Sequence, residues 1–346
     1  MYKGGRISGK CDEGEIMVIC GRSRRTALTV VTAAFVAAIA GLALMFPAAA
    51  QAGSRVVPVI SLSPPQLPES IAIDSRGTMY LSLFPLGEIL KIAPDGTQSV
   101  FATFPSGSMS LGVRLDSAGN LYVAVAGSGV WRVPARGGTP VEIAPVPGLP
   151  NGLVFDRQGN LYVSDSLGGA IYRIARDGSV ALWSDSPLLA GTTGPGPCGT
   201  PHPSGLALGA NGLAFDSHGD LLVANTTLGT IVRIGVNRDG SAGTARVFAG
   251  PDCRLWGADG VAMDVRGNLY VAANAENDIV RVSPQGDLHV LASAAAGDPL
   301  SNPSDIAFGT GRGDRKQIFI TNFALFTGTG AGVVTTDAGV PGRPLP

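Results

Sequence analysis

One sequence pattern recurs along the chain and constrains its fold more than any other feature. The stretch from Asn151 to Gly178 holds two tight turns, beginning at Asp156 and Arg176, between short segments that are apolar or alternate in polarity. Asp at the first position of a turn can accept hydrogen bonds from the backbone, and Gly supplies the positive φ that such turns need. Together with the segment that follows, each unit predicts four short antiparallel strands.

The unit occurs six times. In five copies an Asp is followed three residues later by Gly and then by a β-type segment, and these Asp residues are Asp74, Asp116, Asp156, Asp216 and Asp264. The sixth copy, at Asp305, has an Arg/Asp/Lys-rich turn instead. We therefore predict an all-β fold, a six-bladed β-propeller of four-stranded antiparallel blades. It forms a single domain over residues 53–346, with blades starting near residues 69, 110, 150, 210, 258 and 303.

A propeller ring needs a closing device, because an open ring leaves strand edges unpaired. The run from Val56 to Leu62 favours a strand and has no partner in its own part of the sequence, and the last unit ends at Gly332–Thr336 before a Pro-rich tail. We expect the N-terminal strand to complete the last blade.

Residues 1–52 are typical of an export leader. Three Arg residues, the last at Arg25, precede an uncharged run over residues 27–46, and small residues follow up to Ala52, after which we expect cleavage. A partial twin-arginine pattern leaves both twin-arginine and general export open, and Met17 is an alternative start. The run of 20 residues is also just long enough to be kept as a membrane anchor, although the cleavage motif favours removal.

Charge limits the partners of the mature chain. The leader takes six of the 25 basic and three of the 26 acidic residues, which leaves 19 against 23. This balance argues against nucleic-acid binding. We expect a periplasmic or secreted protein, free of the membrane in its mature form, that acts on a small molecule. We also expect a monomer, since a closed ring has no edges for a partner to bury.

Two cysteines remain after removal of the leader, Cys198 and Cys253. Both lie beside Gly and Pro in predicted inter-blade loops, in a compartment that oxidises thiols. We expect a disulfide between them, and the alternative is a pair of buried thiols.

Oxygen-bearing side chains stand where inner strands begin and where second strands end. The first set is Glu69, Asn151, Asn211 and Asp259, and the second is Asp165, Asn225, Asn274 and Asn322. His202 lies in a long loop, residues 184–210, and is the one His placed near the same face. Carboxylate and amide oxygens that converge at a channel mouth suit a hard divalent cation, above all Ca²⁺. For each Asn-Gly or Asp-Gly pair taken singly, a simple turn is the competing interpretation.

The four strand-entry residues resemble the site of the SMP-30/gluconolactonase/LRE-like family of six-bladed propellers. The resemblance implies that Glu69, Asn211 and Asp259 bind a divalent cation. It further implies that Asn151 lies on the substrate side and that Asp259 acts as a general base. The chain departs from the sugar lactonases at Leu149, where they carry Arg, and at Gly152, where they carry Asp.

The resemblance implies a metal-dependent hydrolase, secreted or periplasmic, that acts on a lactone or related ester. The repeats also resemble NHL repeats, so the alternative is a non-catalytic propeller that binds a ligand or protein through the 184–210 loop. Related lyase propellers need a catalytic His, for which only His202 is suitably placed.

Overall fold

The computed structural model describes residues 56–344, and the predicted leader lies outside that range. Within the range, the regular structure consists of 24 strands and three short 3-10 helices, without an α-helix. The strands form six four-stranded antiparallel sheets, which confirms the predicted six-bladed β-propeller. No helix among these residues is long and apolar enough to span a membrane.

The first half of the ring contains the N-terminal strand and three blades. The strands are β1 (Val57–Ser61); β2 (Pro68–Ile73), β3 (Met79–Leu83), β4 (Glu88–Ile92) and β5 (Gln98–Thr103) of blade one; β6 (Ser110–Leu115), β7 (Leu121–Val125), β8 (Gly129–Val133) and β9 (Val141–Pro145) of blade two; and β10 (Pro150–Phe155), β11 (Leu161–Asp165), β12 (Ala170–Ile174) and β13 (Val180–Ser184) of blade three.

The second half completes the ring. Its strands are β14 (Ala210–Phe215), β15 (Leu221–Asn225), β16 (Thr230–Val236) and β17 (Ala242–Ala249) of blade four; β18 (Ala258–Met263), β19 (Leu269–Ala273), β20 (Asp278–Val282) and β21 (Leu288–Ser293) of blade five; and β22 (Pro303–Phe308), β23 (Gln317–Asn322) and β24 (Gly332–Asp337) of blade six. The 3-10 helices are Pro187–Leu189, Cys253–Leu255 and Ala294–Ala296.

The repeated Asp turn works as its chemistry predicts. In blade three, Asp156 Oδ1 accepts hydrogen bonds from the amides of Gln158 at 2.9 Å and Asn160 at 2.8 Å. Gly159 has φ +82°, in the left-handed region. The equivalent Asp residues of blades one, two, four and five accept the same two backbone bonds. The turn therefore fixes the register of the inner and second strands in five blades.

The ring is closed by strand β1, as predicted. Blade six has the order β1-β24-β23-β22, and Val57 pairs with Thr335 across the antiparallel β1–β24 ladder. Val56, just before β1, is buried among residues of blades five and six. Blade six is therefore the one sheet of the six whose strands come from both ends of the described chain.

The core lies between neighbouring blades. Tyr162 of blade three is 1% exposed and meets Trp183 and Phe215 edge to face, with ring centroids 5.0 and 5.1 Å away. Phe215 belongs to blade four, so this aromatic contact joins two sheets. Packing of this kind sets the angle between blades and holds the inner strands around the axis.

The Asn-Gly and Asp-Gly pairs lie inside strands, so the simple-turn interpretation is wrong. Each inner strand bulges at this point, and its Gly faces the backbone of the next inner strand. A Cβ on Gly112 would collide with the carbonyl oxygen of Asn151, one on Gly152 with that of Asn211, and one on Gly212 with that of Asp259. Glycine is required because the inner strands touch at the axis, and this contact sets the diameter of the channel.

We predict that removal of β1 opens the ring. A chain that begins at Leu62 loses the β1–β24 ladder and the burial of Val56, so its free energy of unfolding should fall by about 3 kcal/mol or more. Urea denaturation checks this against a control chain that begins at Val56. Equal unfolding midpoints in the two chains would show that closure does not depend on this strand.

Candidate functional site

Four inner strands place an oxygen-bearing side chain at one end of the central channel. Glu69 of β2, Asn151 of β10, Asn211 of β14 and Asp259 of β18 are all buried, and they line the same cavity. The cavity has a volume of about 20 Å³. That is room for about one water molecule or one cation. The structure thus brings together all four strand-entry residues.

Glu69 is the least satisfied polar side chain of this group. It is 4% exposed, and its Oε2 is buried without a hydrogen-bond partner. Burial raises the pKa of Glu69 well above its ordinary range, and the nearby carboxyl groups of Asp259 and Asp305 raise it further. An acceptor left without a donor at such a depth is costly unless a proton or a cation neutralises it.

Asp259 lines the same cavity and has a better-defined set of partners. Asn274 Nδ2 donates to Asp259 Oδ2 at 2.8 Å, and the side chain of Asn211 also hydrogen-bonds to this carboxyl group. Burial raises the pKa of Asp259 to about 8, against the two amide hydrogen bonds, which lower it. Asn211 itself is held by a second bond from its Nδ2 to Thr226 Oγ1 at 3.0 Å.

His202 reaches this site through Asn274. The ring Nε2 of His202 lies 3.2 Å from Asn274 Oδ1, and its Nδ1 accepts a bond from the Ser204 amide at 3.3 Å. With the amide of Asn274 assigned so that its NH₂ faces Asp259, Nε2 carries the proton. Burial lowers the pKa of His202, which favours the neutral ring. His202 therefore fixes the orientation in which Asn274 donates to Asp259.

The long loop before β14 is tied to blade five. Cys198 and Cys253 form a disulfide with a Cα–Cα distance of 4.9 Å. The ring of His202 lies edge-on to Trp256 and to Phe326, each at 6.1 Å between centroids. A loop that leaves blade three thus crosses to blades five and six, and this path carries His202 to the site.

A second polar cluster, not predicted from the sequence, lies in the same channel. Asp305 Oδ2 accepts hydrogen bonds from Ser70 Oγ at 2.5 Å and from the Ile71 amide at 3.1 Å. Burial raises the pKa of Asp305, whereas Arg114 lowers it. Arg114 is partly buried, and its desolvation lowers its pKa; its Nε donates to the Leu153 carbonyl oxygen at 2.9 Å.

Both missed residues had a signal in the repeat. Asp305 stands one position after the strand-entry residue of blade six, where blades two to five have Gly. Arg114 follows Gly112 by two residues, and alternation along a strand places both on the channel side. The strand-entry positions alone do not reveal these two residues, whereas the alternation does.

Three of the predicted second-strand residues hydrogen-bond to the backbone of loops and do not line the cavity. Asp165 Oδ1 accepts from the amides of Leu149 and Gly168, both at 2.9 Å. Asn225 Nδ2 donates to the Ala190 carbonyl oxygen at 2.9 Å, and Asn322 Nδ2 to that of Pro299 at 2.8 Å. None of the four second-strand residues lines the cavity itself, and Asn274 is the one of them whose side chain hydrogen-bonds to the side chain of an entry residue.

The donor set of the cavity fits a divalent cation. Glu69 and Asp259 offer carboxylate oxygens and Asn211 an amide oxygen, all hard ligands of the kind that Ca²⁺, Mg²⁺ or Mn²⁺ prefer. The partnerless Oε2 of Glu69 supplies an open acceptor, and the cavity volume matches one ion. Among the described residues that line this cavity there is no thiol or imidazole to favour a softer metal.

The raised pKa of Asp259 predicts how stability depends on pH in protein stripped of cations with EDTA. An acid with a higher pKa in the folded chain, here about 8 against an ordinary 3.8, keeps its proton where the unfolded chain has lost it. The free energy of unfolding should therefore fall between about pH 4 and pH 8, by about 1.4 kcal/mol per pH unit for one proton. Denaturation at several pH values measures this slope, which should be smaller in Asp259→Asn. Identical slopes would contradict the assignment.

Known proteins resemble this chain in sequence pattern and in fold. Residues 204–324 match the model of the family described as SMP-30/Gluconolactonase/LRE-like region. A gluconolactonase from Xanthomonas campestris is similar in structure, with 19% identity, a TM-score of 0.61 and coverage of 83% of this chain and 89% of that one. A calcium-binding protein, regucalcin, from Agrobacterium tumefaciens is similar at 19% identity and a TM-score of 0.62, over 83% and 96% of the two chains.

Virginiamycin B lyase from Staphylococcus aureus is also similar, with 16% identity, a TM-score of 0.55 and coverage of 77% of this chain and 81% of that one. The comparison with curated protein sequences gave no match. At these identities the solved structures establish the propeller fold alone. Through the family model, which covers blades four and five and part of blade six, the predicted resemblance of this chain to the SMP-30/gluconolactonase/LRE-like family is confirmed.

Proposed function

We propose that this protein is a metal-dependent hydrolase of lactones or related esters. The observation that carries the proposal is the buried, partnerless Oε2 of Glu69 in an ion-sized cavity shared with Asn211 and Asp259. Two structural relatives support it, since one is named a gluconolactonase and the other a calcium-binding protein. We propose Ca²⁺ as the cation, held by Glu69, Asn211 and Asp259.

The residues around the cavity have separable tasks. A divalent cation, when bound, polarises an ester carbonyl and lowers the pKa of a nearby water. Asp259 then accepts the proton that the attacking water gives up, and Asn274 keeps the Asp259 carboxylate in one orientation through its 2.8 Å bond. Asn151, from β10, lines the same cavity, and we assign it the orientation of the lactone ring.

We further propose that the chain works outside the cytoplasm as a monomer, with residues 1–52 as its export leader. The Cys198–Cys253 disulfide supports an oxidising compartment, because such bonds persist where thiols are not kept reduced.

Metal removal provides the first test of this function. Binding at buried carboxylates should stabilise the folded chain, so EDTA should lower the melting temperature and added Ca²⁺ should restore it. A bound divalent ion at about one per chain is expected by elemental analysis of the mature protein. A chain without bound cation and without any response to EDTA would contradict the proposal.

Substitution of the ligands provides the second test. Glu69→Gln and Asp259→Asn keep the size of each side chain but remove a negative charge, so both should lose lactone hydrolysis by about 10²-fold or more. Glu142→Gln, an exposed change on β9, is the matched control and should retain full activity. The variants must stay folded by circular dichroism. Full activity in Glu69→Gln would contradict the role of Glu69 as a ligand, and the absence of hydrolysis in the unsubstituted protein would favour the alternative of a non-catalytic binding propeller.

A further inference from the structure

The two faces of the propeller differ in charge. We define the mouth face as the loops at the end where the inner strands begin. These are residues 62–67, 84–87, 104–109, 126–128, 146–149, 166–169, 185–209, 226–229, 250–257, 274–277, 294–302 and 323–331. Across these loops there is a single Lys or Arg, Arg254, whereas within residues 56–344 the loops of the opposite face carry ten. The lone Arg254 is already paired with Asp252 at 2.8 Å.

The mouth face also carries exposed apolar side chains. Six large apolar residues in its loops are 36–48% exposed, and they are Leu86, Met109, Leu167, Leu206, Leu325 and Phe326. In the loops of the opposite face of the described chain only Val265 is comparable. The other exposed large apolar residues lie on the outer strands. Apolar exposure in the loops is therefore concentrated around the channel that leads to Glu69 and Asp259.

The exposed apolar residues of the mouth face are continuous with the site. The ring of Phe326 meets that of His202 at 6.1 Å, and His202 is hydrogen-bonded through Asn274 to Asp259. Leu167 lies in the turn whose amides are held by Asp165, in the same blade that presents Asn151. A ligand whose reacting group sits at the cavity would therefore lay its remaining atoms against apolar surface.

We infer that the substrate is an uncharged lactone that carries an apolar alkyl or aryl substituent. The inference rests on the proposed function and names its substrate class. An anionic substrate would meet four acidic residues and one already paired Arg on this face. A polyhydroxylated substrate would need free donors and acceptors, but Asp165, Asn225 and Asn322 bind loop backbone instead.

A membrane surface is the competing occupant of an exposed apolar face. Anionic lipid attracts clusters of Lys and Arg, and the mouth face has none. Its apolar residues surround buried carboxyl groups at the centre of the face. Both observations favour a small uncharged ligand.

The test compares lactones that share one ring. With the Ca²⁺-loaded mature chain, kcat/KM should be at least about tenfold higher for δ-decalactone than for δ-valerolactone, since each buried methylene can contribute up to about fourfold. D-glucono-δ-lactone, with the same ring and hydroxyl substituents, should be the poorest substrate. A preference for D-glucono-δ-lactone over δ-decalactone would overturn the inference and leave the hydrolase proposal standing.

Variants locate the preference on the mouth face. Leu167→Ser and Leu325→Ser should each lower kcat/KM for δ-decalactone by about threefold or more, and lower it less for δ-valerolactone. Val265→Ser removes an exposed apolar side chain from the opposite face and should change neither. Equal losses on both lactones, or the same effect in Val265→Ser, would overturn the inference.

Binding separates this inference from the failure of catalysis. Lactams resist hydrolysis, so calorimetry with δ-valerolactam and its pentyl-substituted analogue reports recognition without turnover. Tighter binding of the pentyl lactam, lost in Leu167→Ser, supports the substrate class even if no lactone is hydrolysed. Equal binding of both lactams would overturn it. Leu167-dependent binding to phosphatidylcholine vesicles without any alkyl preference would also overturn it, in favour of a lipid surface.

Discussion

The structure depends on the burial of charge at the centre of a ring. Glu69, Asp259 and Asp305 place three carboxyl groups in one small channel, where Arg114 is the one basic side chain among the residues that line it. If all four ionise, the cluster carries a net charge of −2, which one divalent cation would neutralise. Without a cation, burial instead raises the pKa values of the three acids. The cation and the proton therefore compete for the same carboxylates, and solvent pH decides the balance.

The backbone brings these groups together more than the side chains do. Inner strands can approach closely because Gly112, Gly152 and Gly212 offer no Cβ to the neighbouring carbonyl oxygen. Blade six has Asp305 instead of Gly at this position, and the carboxyl group of Asp305 lies against Gly260 of blade five. The residue at this one position of each inner strand therefore determines both features. Glycine allows the narrow channel, and a polar side chain adds to the polar cluster. A wider channel would need new backbone contacts throughout the ring, so specificity is more easily altered in the loops.

The sequence predicted the fold well because each blade repeats local chemistry. Asp turns, apolar segments and period-two alternation are readable within a few residues, and the partnerless run at Val56 indicated closure. The site was predicted less completely. Its entry residues share one repeat position, whereas His202 arrives through an irregular loop and Arg114 acts across blades. The turn interpretation of Asn-Gly failed because a single sequence does not show that another backbone lies against Gly152. Such contacts depend on tertiary packing and not on local propensity.

The closure of blade six has a consequence for the order of folding. Strands within blades one to five are joined by short turns, but Val57 must find Thr335, 278 positions further along the chain. Contacts of such separation form slowly, because the entropy of a very long loop must be lost first. Blades one to five are each built from consecutive strands, so they can form before β1 pairs with β24. The cavity needs Glu69 from blade one beside Asp305 from blade six, so its assembly depends on contacts between the two ends of the chain and not on any single blade.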